Sequence, residues 1–313
     1  MNTKTTPLAT IVAATDFSPN AERALDWAQR VAAAHEARLV LVHAMPAPAV
    51  AGTAAPEFVT LPAEVYEEQE RQARTLLEER AARAQAAGVP SDIRLPMGAP
   101  SASILDAIEE DQAGLVVLGT RGQTGLTRAF LGSVAAHVIR DAPCPVLTIP
   151  PAGAATDRPL RRLLVPTDFS SDADGAVDAA LRLAGPIAEE MKIVLLHVWR
   201  LPVIFSPWAT LPMESLERGA AEDARRRLEE AAQSLTSRGF EVEIRQRQGE
   251  PADVIDREAT ELDVDLVAMG THGRSGLSRV FLGSVAERTL PTAPCPVLTV
   301  HNRDAEQEEG IAA

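Results

Sequence analysis

Residues 115–149, LVVLGTRGQTGLTRAFLGSVAAHVIRDAPCPVLTI, and residues 266–300, LVAMGTHGRSGLSRVFLGSVAERTLPTAPCPVLTV, align without a gap and agree at 21 of 35 positions. Earlier landmarks repeat in the same order. IVAATDFS (11–18) matches LLVPTDFS (163–170), LVLVHA (39–44) matches IVLLHV (193–198), and the turn Gly98-Ala99-Pro100 matches Gly249-Glu250-Pro251. Matched landmarks lie 151 to 154 residues apart, far beyond the period of a solenoid repeat. Two tandem copies of one domain therefore account for the 313 residues, each copy of ordinary domain size. The expected boundaries are 1–150 for the first domain, 151–160 for a linker rich in Pro, Ala and Gly, and 161–301 for the second domain. Residues 302–313 form an acidic tail without an apolar face, read as disordered.

Within each copy, short apolar runs alternate with helical patterns. In the first copy the runs at 10–14, 39–43, 115–118 and 146–149 are too short for helices and suit strands buried on both faces of a parallel sheet. A more polar run, 93–96, reads as a strand nearer an edge. Ser18 followed by Pro19 marks a helix start, a hydroxyl cap and then a residue that needs no N–H; Leu25, Ala28, Val31 and Ala32 then share one face. Further helices are expected over about 63–87, over about 101–111, and from Gly132-Ser133 onward. Strands alternating with helices imply a doubly wound α/β domain with right-handed crossovers.

Ligands of such sheets sit beyond the C-terminal strand ends, where the strand order reverses. Two motifs fall there: Thr15-Asp16-Phe17-Ser18 after the first strand, and Gly119-x2-Gly122-x9-Gly132-Ser133 after the fourth. The second copy carries Thr167-Asp168-Phe169-Ser170 and Gly270-x2-Gly273-x9-Gly283-Ser284. Glycines let the backbone approach a ligand so that successive N–H groups form an anion nest. A helix start adds unbonded N–H groups and the positive end of a dipole. Together these make a phosphate cradle that needs no lysine, and Asp16 or Asp168 can accept from a ribose hydroxyl or help hold Mg²⁺.

With the closing Ala-Pro-Cys-Pro-Val-Leu strand, these motifs resemble the ATP-binding subgroup of the universal stress protein family, across both copies and nearly the whole chain. The resemblance implies two five-stranded parallel sheets of order 3-2-1-4-5 flanked by helices, paired through their last strands as an intramolecular pseudo-dimer. It implies that Thr15, Asp16 and Ala44 contact adenine and ribose, that Leu118 and Gly119 flank the ribose, and that Gly122, Gly132, Ser133 and Val134 hold phosphates. The matching residues of the second copy are Pro166, Thr167, Asp168, Val198, Met269, Gly270, Gly273, Gly283, Ser284 and Val285. Ala14 stands where the second copy has Pro166, which weakens the first site slightly without removing a polar contact.

Other residues receive plainer readings. Arg121, Arg128, His272, Arg274 and Arg279 beside the loops are read as solvated, His43 and His197 as structural, and Cys144 and Cys295 as core residues. The connectors 46–62 and 201–212 differ in content; the second, with Ile204, Phe205 and Trp208, reads as a lid, a contact surface or packing within the pseudo-dimer.

The expected function is an ATP-binding regulatory protein of the stress response, with one nucleotide per domain, carried with Mg²⁺. No catalytic residue is identified: Walker A, SGGxDS and HxGH signatures are absent, which leaves slow ATP hydrolysis or self-phosphorylation as the enzymatic alternative. A nucleotide-independent scaffold is the third reading. A net charge of -14 disfavours nucleic acid, and Arg161-Arg162 and Arg225-Arg226-Arg227 read as solvated faces among acidic residues. Two cysteines and no apolar run of about 18 residues point to a cytoplasmic chain. The partners expected are ATP, an unidentified protein and a second copy of the chain, with no nucleic acid or membrane.

Overall fold

The computed structural model describes residues 8–47, 62–122, 130–151, 159–200, 213–271 and 282–301. The chain divides between Pro151 and Ala152 into two compact units.

In the first unit, β1 (Thr10–Ala14) is buried at every position, as a strand covered on both faces must be. Helix α1 (Pro19–His35) starts where Ser18 Oγ accepts from the Ala21 N–H at 3.2 Å, and it ends at Glu36 in the left-handed conformation. Its buried face contains Leu25, Ala28, Val31 and Ala32 and also the fully buried Trp27. There follow β2 (Arg38–Val42), α2 (Ala63–Ala86), β3 (Ser91–Arg94), α3 (Pro100–Glu110), β4 (Leu115–Gly119), α4 (Ser133–Asp141) and β5 (Val146–Ile149). The strand order is β3-β2-β1-β4-β5, with every neighbouring pair parallel.

The second unit repeats the plan: β6 (Leu160–Pro166), α5 (Ser171–Ala184), β7 (Ala188–Trp199), α6 (Met213–Ser237), β8 (Glu241–Gln248), α7 (Pro251–Glu261), β9 (Leu266–Gly270), α8 (Ser284–Thr289) and β10 (Val297–Val300). Its strand order is β8-β7-β6-β9-β10, again parallel throughout. Each unit is thus a doubly wound α/β domain. In each, the first strand lies between the second and the fourth, so the connections leaving it and the fourth strand run to opposite sides and open a crevice above them.

Strand β3 occupies 91–94, two residues earlier than the expected run 93–96. Its position is set by pairing with β2, from Leu39↔Ser91 to Val42↔Arg94. Pro96 lacks an N–H and contributes only its carbonyl, which accepts from the Met45 N–H at 2.8 Å.

Away from the crevice, ion pairs pin helices to strands. Asp111, at the end of α3, takes Arg38 at 2.5 Å and Arg94 at 3.0 Å. Burial opposes its ionisation, but the two guanidiniums outweigh it and hold the carboxyl below its usual range. In the second unit the buried Glu258 of α7 is held by Arg245 and Arg247. Arg225 and Arg226 are exposed and paired to nearby acids on α6. Arg227 differs from its expected solvated role: its guanidinium lies over the Phe169 ring, 4.3 Å from the centroid. Among the described residues no helix is long and apolar enough to cross a membrane.

Candidate functional site

The turn after β1 is fixed by its own side chains. The Thr15 N–H extends the sheet by one bond to the Val42 carbonyl at 2.9 Å. Phe17 then takes a positive φ of 62°, stabilised because Thr15 Oγ1 accepts from its N–H at 3.0 Å and Asp16 Oδ1 accepts from the Ser18 N–H at 3.0 Å. The second unit reproduces each contact: Phe169 has φ 65°, its N–H donates to Thr167 Oγ1 at 2.9 Å, and the Ser170 N–H donates to Asp168 Oδ1 at 3.1 Å. In both units this turn delivers an aspartate to the mouth of the crevice.

His43 and His197 brace the turn from the second strand. Each Nδ1 lies 2.8 Å from a carbonyl oxygen, of Thr15 and Thr167 respectively. A carbonyl only accepts, so the ring proton sits on Nδ1. Each imidazole also packs on the phenylalanine of the turn, with ring centroids 4.4 Å apart in the first unit and 4.7 Å in the second. The structural reading of these histidines fits that geometry, and His43 lines the crevice as well.

The glycines occupy places where a side chain would not fit. A Cβ on Gly122 would stand 2.6 Å from Asp16 Oδ2. On Gly119 it would overlap the side-chain amide of Asn20, which donates to the Arg121 carbonyl at 3.2 Å and so ties α1 to the chain leaving β4. On Gly270 it would stand 2.6 Å from the Cβ of Asp172. The Gly132 N–H donates to the Thr120 carbonyl and the Gly283 N–H to the Thr271 carbonyl, both at 2.9 Å, which folds each helix start back over the strand end. No side-chain cap occupies the N-terminus of α4 or α8, so the first-turn N–H groups remain for another acceptor.

These parts enclose one cavity per unit. The first, 350 Å³, is lined by Thr15, Asp16, Ala44, Leu118, Gly119, Gly122, Gly132, Ser133 and Val134, all nine residues singled out in that copy. The second, 390 Å³, is lined by Pro166, Thr167, Asp168, Val198, Met269, Gly270, Gly283, Ser284 and Val285. Gly273 lies outside the described residues, as do Arg128, His272, Arg274 and Arg279, most of the 46–62 connector and all of the 201–212 connector. The sequence reading did not include Pro100 and Ile104, which line the first cavity, or Pro251, Ile255 and Arg200, which line the second. The Gly-x-Pro turn before the third helix was the available signal for the two prolines.

Two expectations need correction. Arg121 is half-buried and lines the first cavity, because the Asn20 bond holds its backbone against the crevice. Cys144 is only half-buried, whereas Cys295 is 2% exposed and its thiol is pushed up to about 12, chiefly by burial. Among the described residues no group of three or more His, Cys, Asp or Glu is arranged to hold a metal ion.

Comparison with known proteins agrees with this architecture. The universal stress protein family matches residues 8–150 and again 159–301. A universal stress protein of Mycolicibacterium smegmatis is 29% identical over 304 residues, covering 94% of this chain and 97% of the relative. One from Mycobacterium bovis is 28% identical over 313 residues, covering 92% and 93%. The crystal structure of a universal stress protein from Archaeoglobus fulgidus superposes with a TM-score of 0.67 over 93% of this chain and 97% of that one, at 21% identity, which speaks to the fold. The chain belongs to the universal stress protein family, in its tandem two-domain form.

Proposed function

We propose that each domain binds one ATP and that the protein acts as a nucleotide-responsive regulatory module in the stress response. The observation that carries this reading is the duplicated cavity at the reversal point of each sheet, bounded by an aspartate, a glycine-lined wall and an uncapped helix start. The first turn of α4 presents N–H donors with no competing side-chain cap, and the glycines let phosphates approach the backbone, which suits a nucleotide. Arg121 lines the first cavity as well. Apolar residues at the far wall, Ala44, Pro100 and Ile104 in the first unit, suit a flat base. Asp16 and Asp168 face the space between, where a ribose hydroxyl donates.

The donor set fits Mg²⁺ only in company with the nucleotide. Each cavity offers a single aspartate, and its Oδ1 already accepts a backbone N–H. The ion would take most of its oxygens from phosphates and water, with Asp16 or Asp168 in support, as is usual for Mg²⁺. Occupancy alters the surface that a protein partner reads.

The test is to purify the protein without added nucleotide, denature it, and quantify released nucleotide per chain. Two unhydrolysed nucleoside triphosphates per chain, ATP among them, is the expected result. ADP alone, with rapid Mg²⁺-dependent turnover, would replace the module with an ATPase. No bound nucleotide and no uptake of added Mg-ATP would leave the scaffold.

A further inference from the structure

The two cavities share a backbone, but their far walls differ in charge. Four positions change together. Pro46, Ala99, Ala102 and His137 of the first unit correspond to Arg200, Glu250, Asp253 and Arg288 of the second. These four form a continuous chain of ion pairs. Arg200 Nη1 lies 2.8 Å from Glu250 Oε2, Glu250 Oε1 lies 2.8 Å from Arg288 Nη1, and Arg288 Nη2 lies 3.0 Å from Asp253 Oδ1.

The backbone aims this chain at the cavity. In the first unit, strand pairing stops at Val42↔Arg94, followed by one isolated bridge at Met45↔Met97. In the second, pairing runs unbroken to Trp199↔Gln248; the turn beyond is closed alike in both units, the Gly98 N–H donating to the Met45 carbonyl at 2.9 Å and the Gly249 N–H to the Trp199 carbonyl at 3.1 Å. Arg200 and Glu250 are the next residues on either side of that bond. Arg200 lines the cavity together with Val198 and Pro251, and Glu250 pairs with its guanidinium. The wall opposite the N–H-rich glycine end thus carries a hydrogen-bond donor that the first cavity lacks.

Resting on the nucleotide reading above, we infer that the second cavity, besides ATP, admits a 6-oxopurine nucleotide and prefers GTP to ATP through Arg200, while the first prefers ATP. Guanine presents O6 and N7 as adjacent acceptors, which a guanidinium can meet together. Adenine places an N6 amino donor where guanine has O6, and Arg200 has no lone pair to receive it. Glu250 accepts at one end of the fork and leaves its other N–H groups to meet the base.

The experiment measures equilibrium binding of ATP and GTP to the full chain and to two blocked variants. Gly119→Val fills the first cavity wall and leaves the second site; Gly270→Val does the reverse. The expected result is a GTP preference of about tenfold in the Gly119→Val chain, an ATP preference in the Gly270→Val chain, and loss of the GTP preference when Arg200→Ala is added to the first. Should either valine prevent folding, Arg200→Ala in the otherwise unaltered chain still reads out, as loss of the GTP-preferring class of sites with ATP binding to the other retained. Equal preference at both sites, or a GTP preference untouched by Arg200→Ala, overturns the inference but leaves nucleotide binding standing. Failure of the unaltered chain to bind either nucleotide overturns both.

Discussion

At the scale of single residues, charge and burial conflict most clearly at Asp256. It sits in α7 where the first domain has Leu105, and burial raises its carboxyl from an ordinary 3.8 to about 6. The native state therefore binds this proton more tightly than the unfolded chain. Any penalty is absent below pH 4 and grows as pH rises through 6, where the half-buried side chain must ionise. Asp256→Asn is expected to stabilise the protein at pH 7.5 by about 1 kcal/mol, allowing for the solvent that reaches the group, and to change nothing at pH 4. Urea midpoints at the two pH values measure this; an equal effect at both would show that ionisation is not involved. The cysteines make a second contrast. With its thiol pushed up to about 12, Cys295 is expected to resist a thiol reagent at pH 8 in the native protein, while the half-buried Cys144 reacts. A labelling time course should show one reactive thiol, and two in denaturant. Neither contrast could be read from the repeated Ala-Pro-Cys-Pro, because burial depends on what the rest of each domain packs over it.

At the scale of elements, the glycine motifs were legible because their demand is local. A residue with no Cβ recurs at fixed spacing after a strand and before a helix, and chemistry alone suggests why. What it must avoid was not legible. Gly119 is required because Asn20, 99 positions earlier, reaches across from α1 to the Arg121 carbonyl. Gly119→Ala is expected to destabilise the first domain by about 1–3 kcal/mol through that overlap. In an Asn20→Ala background the same methyl meets only the Arg121 carbonyl oxygen at 3.3 Å, so most of the penalty should vanish in a double-mutant cycle. Additive effects would mean that the glycine answers to something other than Asn20. The second domain solves the same junction differently. Asp172 cannot donate to a carbonyl, and its Oδ2 lies 3.6 Å from His301 Nδ1. Strand edges were the least legible part: β3 begins two residues before the run 93–96 because the β2 ladder, not hydrophobicity, sets where pairing starts.

For the molecule as a whole, the duplication carried the fold. Once the repeat was seen, one domain plan had to serve twice, and the order 3-2-1-4-5 recurs in both units. Symmetry misled only where the copies diverge. The exchange of Ala14 for Pro166 is one such place, and Arg121 lining the first cavity and Arg200 lining the second are others. A chain of net charge -14 must gather polyanions locally, so the placement of these cations matters more than the total. This gives a prediction for thermal stability. A ligand at 100 times its dissociation constant stabilises the domain that binds it by about 2.7 kcal/mol, which for a domain of this size raises the midpoint by roughly 5–10 °C. Scanning calorimetry with ATP should therefore raise the transition of the first domain, and Gly122→Val, whose side chain would strike Asp16 Oδ2, should abolish that rise while leaving any shift in the second. Added GTP should act on the second domain even in the Gly122→Val chain. A single shift common to both nucleotides and lost entirely with Gly122→Val would mean one binding event serves the whole chain, and the two cavities would then have to be regarded as parts of one coupled site.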